Sequence, residues 1–180
     1  MMDIFCVASG PSLTKADCDL VARSGVDICC VNNAWQMFDE IDYLYAGDLK
    51  WWNAYCEHVN IPVGERWTCA KSAAAKFNLN LHVASGSFNS GMRAIQWAIE
   101  RGYKHIGLIG YDCSIKRGSH FHGDHKFEKA SPLNGKKMDR WHKQFLKVEK
   151  KARIEKVDVF NCSRYTELGC FPIMNLEDAF

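Results

Sequence analysis

Short apolar runs alternate with amphipathic stretches along this chain. Ile4-Phe5-Cys6-Val7-Ala8, Ile28-Cys29-Cys30-Val31 and Ile106 to Ile109 are apolar at nearly every position. Strands buried on both faces of a parallel sheet read this way. Asp42-Tyr43-Leu44-Tyr45-Ala46 and Val157 to Asn161 add two further strands. Between them lie helical spacings: Ala16, Leu20 and Val21, ended by Gly25; Leu49 to Glu57; Met92, Ile95 and Ile99, stopped by Gly102; and Met138, Trp141, Phe145 and Val148. Residues 61–88 are less regular, and are read as strands at Arg66 to Ala70 and Leu79 to Val83 around a short helix from Lys71 to Phe77. The tail from Leu168 is expected to fold back. This alternation predicts α/β architecture: a single Rossmann-like domain over 1–180, with a mainly parallel, doubly wound sheet. Of the adjacent Trp51 and Trp52, one is expected in the core and the other at the rim.

Polar clusters recur where strands end. Ser9-Gly10-Pro11-Ser12 follows the first strand, Asn32-Asn33 the second, and Gly47-Asp48 the third. Asp112 stands two residues past Gly110. A doubly wound sheet collects ligands at such carboxyl ends. Gly10 permits a tight turn, and Ser12 or Thr14 can cap the next helix. Ser90-Gly91 would offer backbone N–H groups at a helix N-terminus, where an anion is favoured. Asn32 and Asn33 carry donor and acceptor together and suit a base or a ribose; equally, they can simply form a turn. Neither a complete Gly-x-Gly-x-x-Gly nor a P-loop sequence occurs.

The 180 residues suffice for one domain with a sizeable core, and their +2 formal charge does not by itself mark a nucleic-acid binder. No apolar run is long enough to cross a membrane, and Met1-Met2-Asp3-Ile4-Phe5 reads as the start of a strand rather than a signal peptide. There are nine cysteines, an odd number, with no Cys-x-x-Cys; Cys6, Cys29 and Cys30 fall inside strands. Reduced thiols packed as small apolar groups in the cytoplasm are expected.

Residues 113–137 have little periodicity and read as a mobile loop containing His120-Phe121-His122-Gly123-Asp124-His125. Three chemistries fit. His120, His122, Asp124 and His125 could ligate a metal. His120 or His122 could act as general base with Asp124 orienting the ring. Or the histidines could only meet phosphate when the loop closes. Residues 126–156 carry eleven basic and four acidic side chains, a local excess of +7. A solvated helix face is the simpler reading of that excess, and a basic wall for phosphate, nucleic acid or an acidic acceptor is the alternative.

Ala8-Ser9-Gly10-Pro11-Ser12-Leu13, Val31-Asn32-Asn33, Tyr45-Ala46-Gly47-Asp48, Asn89-Ser90-Gly91 and Gly110-Tyr111-Asp112 occur in this order. The order resembles the bacterial lipooligosaccharide sialyltransferases of glycosyltransferase family 42. It is also similar to small phage proteins of the norphogenetic type and to a domain of archaeal 6-hydroxymethylpterin pyrophosphokinases. The sialyltransferase resemblance implies a CMP-linked sugar donor held by Ser9, Gly10, Asn32, Asn33, Ser90 and Gly91, with Pro11 and Ser12 in the same turn. It implies a histidine base, matched by His120. It therefore implies a nucleotide-sugar-dependent glycosyltransferase, in the host cytoplasm if phage-encoded. The pyrophosphokinase resemblance implies diphosphate transfer from ATP through magnesium, with Asp48 and Asp112 as ligands. A metal-dependent hydrolase through the histidine loop, and a phage module that binds a nucleotide or protein without catalysis, are the other readings. A homo-oligomer is a further partner class.

Overall fold

The computed structural model describes residues 1–86, 88–123 and 134–180. In these residues seven parallel strands form one sheet: β1 (Ile4–Val7), β2 (Asp27–Val31), β3 (Ile41–Tyr45), β4 (Val63–Thr68), β5 (Asn80–Leu81), β6 (His105–Ile109) and β7 (Asp158–Asn161). Their order is β5-β4-β3-β2-β1-β6-β7. The chain thus builds outward from β1 to β5, then returns to the other side of β1 for β6 and β7. That reversal lies between β1 and β6, where Val7 pairs with Ile109.

Among the described residues, five α-helices cover the sheet: α1 (Lys15–Arg23), α2 (Leu49–Tyr55), α3 (Lys71–Phe77), α4 (Ser90–Glu100) and α5 (Gly135–Ile154). A 3-10 segment, Asn32–Met37, joins β2 to β3 in place of an α-helix. Alternation along the strands feeds two cores. Phe5, Val7, Ile28, Cys30 and Leu44 face Val21 of α1, Trp51 and Trp52 of α2 and Ala73 of α3. Ile4, Cys6, Cys29, Ile106 and Leu108 face Met92, Ile95 and Ile99 of α4 and Phe145 and Val148 of α5. With both faces covered, the sheet is doubly wound, as the hydrophobic pattern predicts.

Helix starts are fixed by short polar side chains. Thr14 accepts the Asp17 N–H at α1, Asn89 the Met92 N–H at α4, and Asn134 the Lys137 N–H at α5. Each satisfies a donor with no partner inside the helix. The tail does fold back: Met2 N–H donates to the Ala179 carbonyl, and Leu176 and Ala179 join the core beside α1. Both Trp51 and Trp52 are buried, correcting the expectation of one at the rim. Their indole N–H groups explain why burial is tolerated: Trp51 donates to Asn33 Oδ1 at 2.7 Å and Trp52 to the Ala46 carbonyl at 2.9 Å. The strand expected over Leu79 to Val83 shrinks to Asn80–Leu81 at the sheet edge.

All nine cysteines are free thiols, and Cys6, Cys18, Cys29 and Cys30 are buried. Burial pushes the Cys29 and Cys30 thiols well up and that of Cys18 to about 12, so these groups stay protonated and act as apolar filling.

Candidate functional site at the carboxyl edge

Because every strand is parallel, the four polar strand ends share one edge of the sheet. Contacts between neighbours tie them together. Ser9 Oγ donates to the Val31 carbonyl at 3.4 Å, joining the ends of β1 and β2. Gly47 N–H donates to Ser90 Oγ at 3.0 Å, joining the end of β3 to the start of α4. Tyr111 Oη donates to the Gly91 carbonyl at 3.0 Å, joining α4 to the loop after β6. Residues far apart in sequence thereby form one polar rim.

The β1 turn is locked into the loop after β6. Asp112 is 2% exposed, and its carboxylate accepts from Ser12 Oγ at 2.6 Å and from Ser12 N–H at 2.8 Å. Gly10 N–H donates to the Gly110 carbonyl at 2.9 Å. Any side chain at Gly10 would meet Asp112 Oδ1 at 2.2 Å, and one at Gly110, where φ is +70°, would meet the Ala8 carbonyl at 2.2 Å. Two glycines facing each other are what allow β1 and β6 to stay in contact past their ends. Burial raises the Asp112 carboxyl above its ordinary value; the Ser12 donors and the charge of Arg117 oppose this without overcoming it.

The predicted donor-site residues therefore divide. Asn33, Ser12 and Asp112 spend their side chains on Trp51 and on each other. In the turn, Gly10, Ser12 and Leu13 donate their N–H groups to Gly110, Asp112 and Gly10, and Pro11 has none. The glycine turn is thus a structural clasp with little left for a phosphate. Thr14, not Ser12, caps α1. In contrast, Asn32 adopts φ +51° and its buried Oδ1 has no partner among the described residues. Asp48 is exposed at the start of α2, with no capping bond from its side chain. At α4, Asn89 takes the Met92 N–H, so the Ser90 and Gly91 N–H groups remain as the helix's first-turn donors. Magnesium between Asp48 and Asp112 would need a carboxylate that is open to a hydrated ion. Asp112 is buried under Ser12. Among the described residues, no three His, Cys, Asp or Glu side chains gather as a metal would require. Asp124 and His125 lie outside the described residues.

The histidine loop reaches the same edge. Phe121 N–H donates to the Ser9 carbonyl at 3.0 Å, and the Phe121 ring packs on the core beside α1. Gly123 N–H closes a turn onto the His120 carbonyl at 3.1 Å. The imidazoles of His120 and His122 stack, centroids 5.1 Å apart and 7° from parallel. Two histidines are thus carried beside the β1 turn by a backbone bond on the residue between them. Earlier in the same loop, Arg117 covers the Tyr165 ring at 4.3 Å, and Lys116 pairs with Glu167 at 2.6 Å. Lys116 and the Tyr165 hydroxyl hold the Glu167 carboxyl down at about 2.

Two features escape a linear reading. Tyr45 Oη, His82 and Glu100 form a chain: Oη to Nδ1 at 2.7 Å, then Nε2 to the carboxylate at 2.8 Å, and Glu100 also pairs with Lys151 of α5. Contact with Glu100 suggests an ion pair, but burial of His82 prevails and lowers its pKa. The neutral ring then donates from Nε2 to Glu100 and accepts the Tyr45 O–H at Nδ1. Arg93 is the second feature. It is buried in the first turn of α4 and donates to the carbonyls of Ser85 and Gly86 and to Gln96, clamping the segment before the helix. The partners of His82 and Arg93 lie at no helical or strand period that would have flagged them, except Gln96 at i+3.

No protein-family model matches the chain, and no curated protein matches it.

Proposed function

We propose that this chain is a nucleotide-sugar-dependent glycosyltransferase of the sialyltransferase-like type. The observation that carries the reading is the bond from Phe121 N–H to the Ser9 carbonyl, because it brings a candidate base to the edge where a doubly wound sheet takes its nucleotide. In this mechanism His120 accepts the proton of the acceptor hydroxyl as that oxygen attacks the anomeric carbon. The sugar–phosphate bond breaks on the opposite side, inverting the centre. The N–H groups of Ser90 and Gly91, at the positive end of α4, stabilise the departing phosphate. Asn32, whose buried Oδ1 at the end of β2 has no partner among the described residues, is suited to receive a donor N–H or O–H from base or ribose. Phosphate binding thus rests on α4 rather than on the glycine turn. The burial of Asp112 weighs against the magnesium-dependent diphosphotransferase reading.

The test is a thermal-shift series with CMP, CDP, UDP, GDP and ATP, each with and without magnesium, followed by turnover of the sugar-linked form of whichever nucleotide binds. A ligand at 100 times its dissociation constant adds about 2.7 kcal/mol, enough to raise the melting temperature by several degrees. His120→Ala is expected to lower turnover by about 10² to 10⁴ with nucleotide affinity nearly unchanged. Binding of none of the five, or full turnover in His120→Ala, would sink the proposal.

A further inference from the structure

The outward face of α5 has a feature that the carboxyl edge does not use. Lys136, Arg140, Lys143, Lys147 and Lys150 follow one another at steps of four, three, four and three residues. At about 100° per residue this places all five within an arc of about 80°, on a line roughly 21 Å long. The helix's buried residues, Met138, Phe145, Val148 and Ala152, lie on the opposite side. All five cations are exposed, and none is paired with a carboxylate among the described residues. The helix has only two acids: Glu149 approaches Arg153, while Asp139 lies to one side of the line.

An ordinary solvated helix face mixes signs, because acid–base pairs at i, i+4 support the helix and like charges at that spacing weaken it. This line carries like charge at every step. The overall charge of +2 hides it, since the +7 of residues 126–156 leaves −5 for the rest of the chain. A stripe that opposes its own helix and has no partner within the described residues fits an external polyanion.

We propose that this face of α5 binds double-stranded nucleic acid through its phosphates, without reading sequence. A 21 Å line spans about six base-pair steps of one strand at 3.4 Å each. The line includes no aromatic side chain; Trp141 is half-buried, with Lys137 over its ring at 5.8 Å. A single strand would want such a stacking platform, and a duplex does not. Membrane binding fits poorly, because an interfacial helix inserts its apolar face and here that face is in the core. Only Leu146 and Ile154 are exposed apolar residues on this helix.

The test is fluorescence anisotropy of a labelled 20-base-pair duplex of arbitrary sequence with the full chain, from 50 to 200 mM salt. Five phosphate contacts predict a log–log salt slope of about −4.5, hence a loss of affinity of roughly 500-fold over that range. The double variant Lys143→Glu, Lys147→Glu is expected to weaken binding at least tenfold and to reduce the slope by about two. Its melting temperature should match the wild type, since both side chains are exposed. Lys15→Glu with Arg23→Glu, on α1, should bind like the wild type. Absence of binding at 50 mM salt would overturn the proposal. So would affinity indifferent to the Lys143 and Lys147 changes, equal affinity for single strand, or binding to anionic phosphatidylserine vesicles and not to the duplex.

Discussion

The carboxyl edge and the outward face of α5 are both rich in polar groups, yet they use them in opposite ways. At the edge, Ser12, Asn33, Asp112 and the turn N–H groups are bonded to one another or to Trp51. On α5 the five aligned cations have no carboxylate partner among the described residues. Polar residues at the ends of buried strands are thus engaged within the fold here: desolvation demands that each group be paired, and the nearest partners are the neighbouring loops. Exposed lysine and arginine face no such demand, so their alignment must be explained differently. A chain of groups, Tyr45–His82–Glu100–Lys151, runs from the end of β3 to the side of α5 next to the stripe.

Gly10→Ala attacks the edge most directly. Its new methyl would overlap both Asp112 Oδ1 at 2.2 Å and the Gly110 carbonyl at 2.4 Å, one of them backbone. A loss above about 3 kcal/mol is expected in urea unfolding; an unchanged midpoint would mean the clasp is not tight. Asp112→Ala comes next. It strips two acceptors from buried Ser12 donors, for a loss of about 2 to 4 kcal/mol, whereas Ser12→Ala, which keeps the backbone bond, should cost about 1 kcal/mol. If the two variants melt alike, Asp112 is available for a ligand and the division at the edge fails.

The smallest effect concerns that chain of groups. Burial depresses the His82 pKa below its ordinary 6.5. As pH falls through 6.5 the unfolded chain takes up a proton before the folded one does, so stability is full above 6.5 and declines below it. Melting temperatures between pH 7.5 and 5 should fall for the wild type and fall less for His82→Gln. Equal slopes would show that His82 is not held neutral.

The fold was legible because buried parallel strands announce themselves. Ile4 to Val7 and Ile106 to Ile109 are apolar throughout, and Met92, Ile95 and Ile99 keep a helical period. The 3-10 link at Asn32–Met37 was not, since it has no period of its own. Ser9, Asn32, Ser90 and Gly91 could be singled out from their places at strand ends and a helix start. That Asp112 would turn inward, and that His82 would lie against Tyr45, could not: both depend on pairing between segments 100 and 37 positions apart. The α5 stripe was visible only as an excess of charge until the helix set its register.

The strand order also bears on how the chain is made. Synthesis delivers β1 through β5 first, and β6, which covers the second edge of β1, arrives about a hundred residues later. A nascent chain that has reached α4 thus presents Ile4-Phe5-Cys6-Val7 with one row of backbone donors and acceptors bare. Such an apolar open edge invites pairing with another chain. Until β6 has been made, this sequence therefore carries an apolar strand edge that the finished sheet pairs.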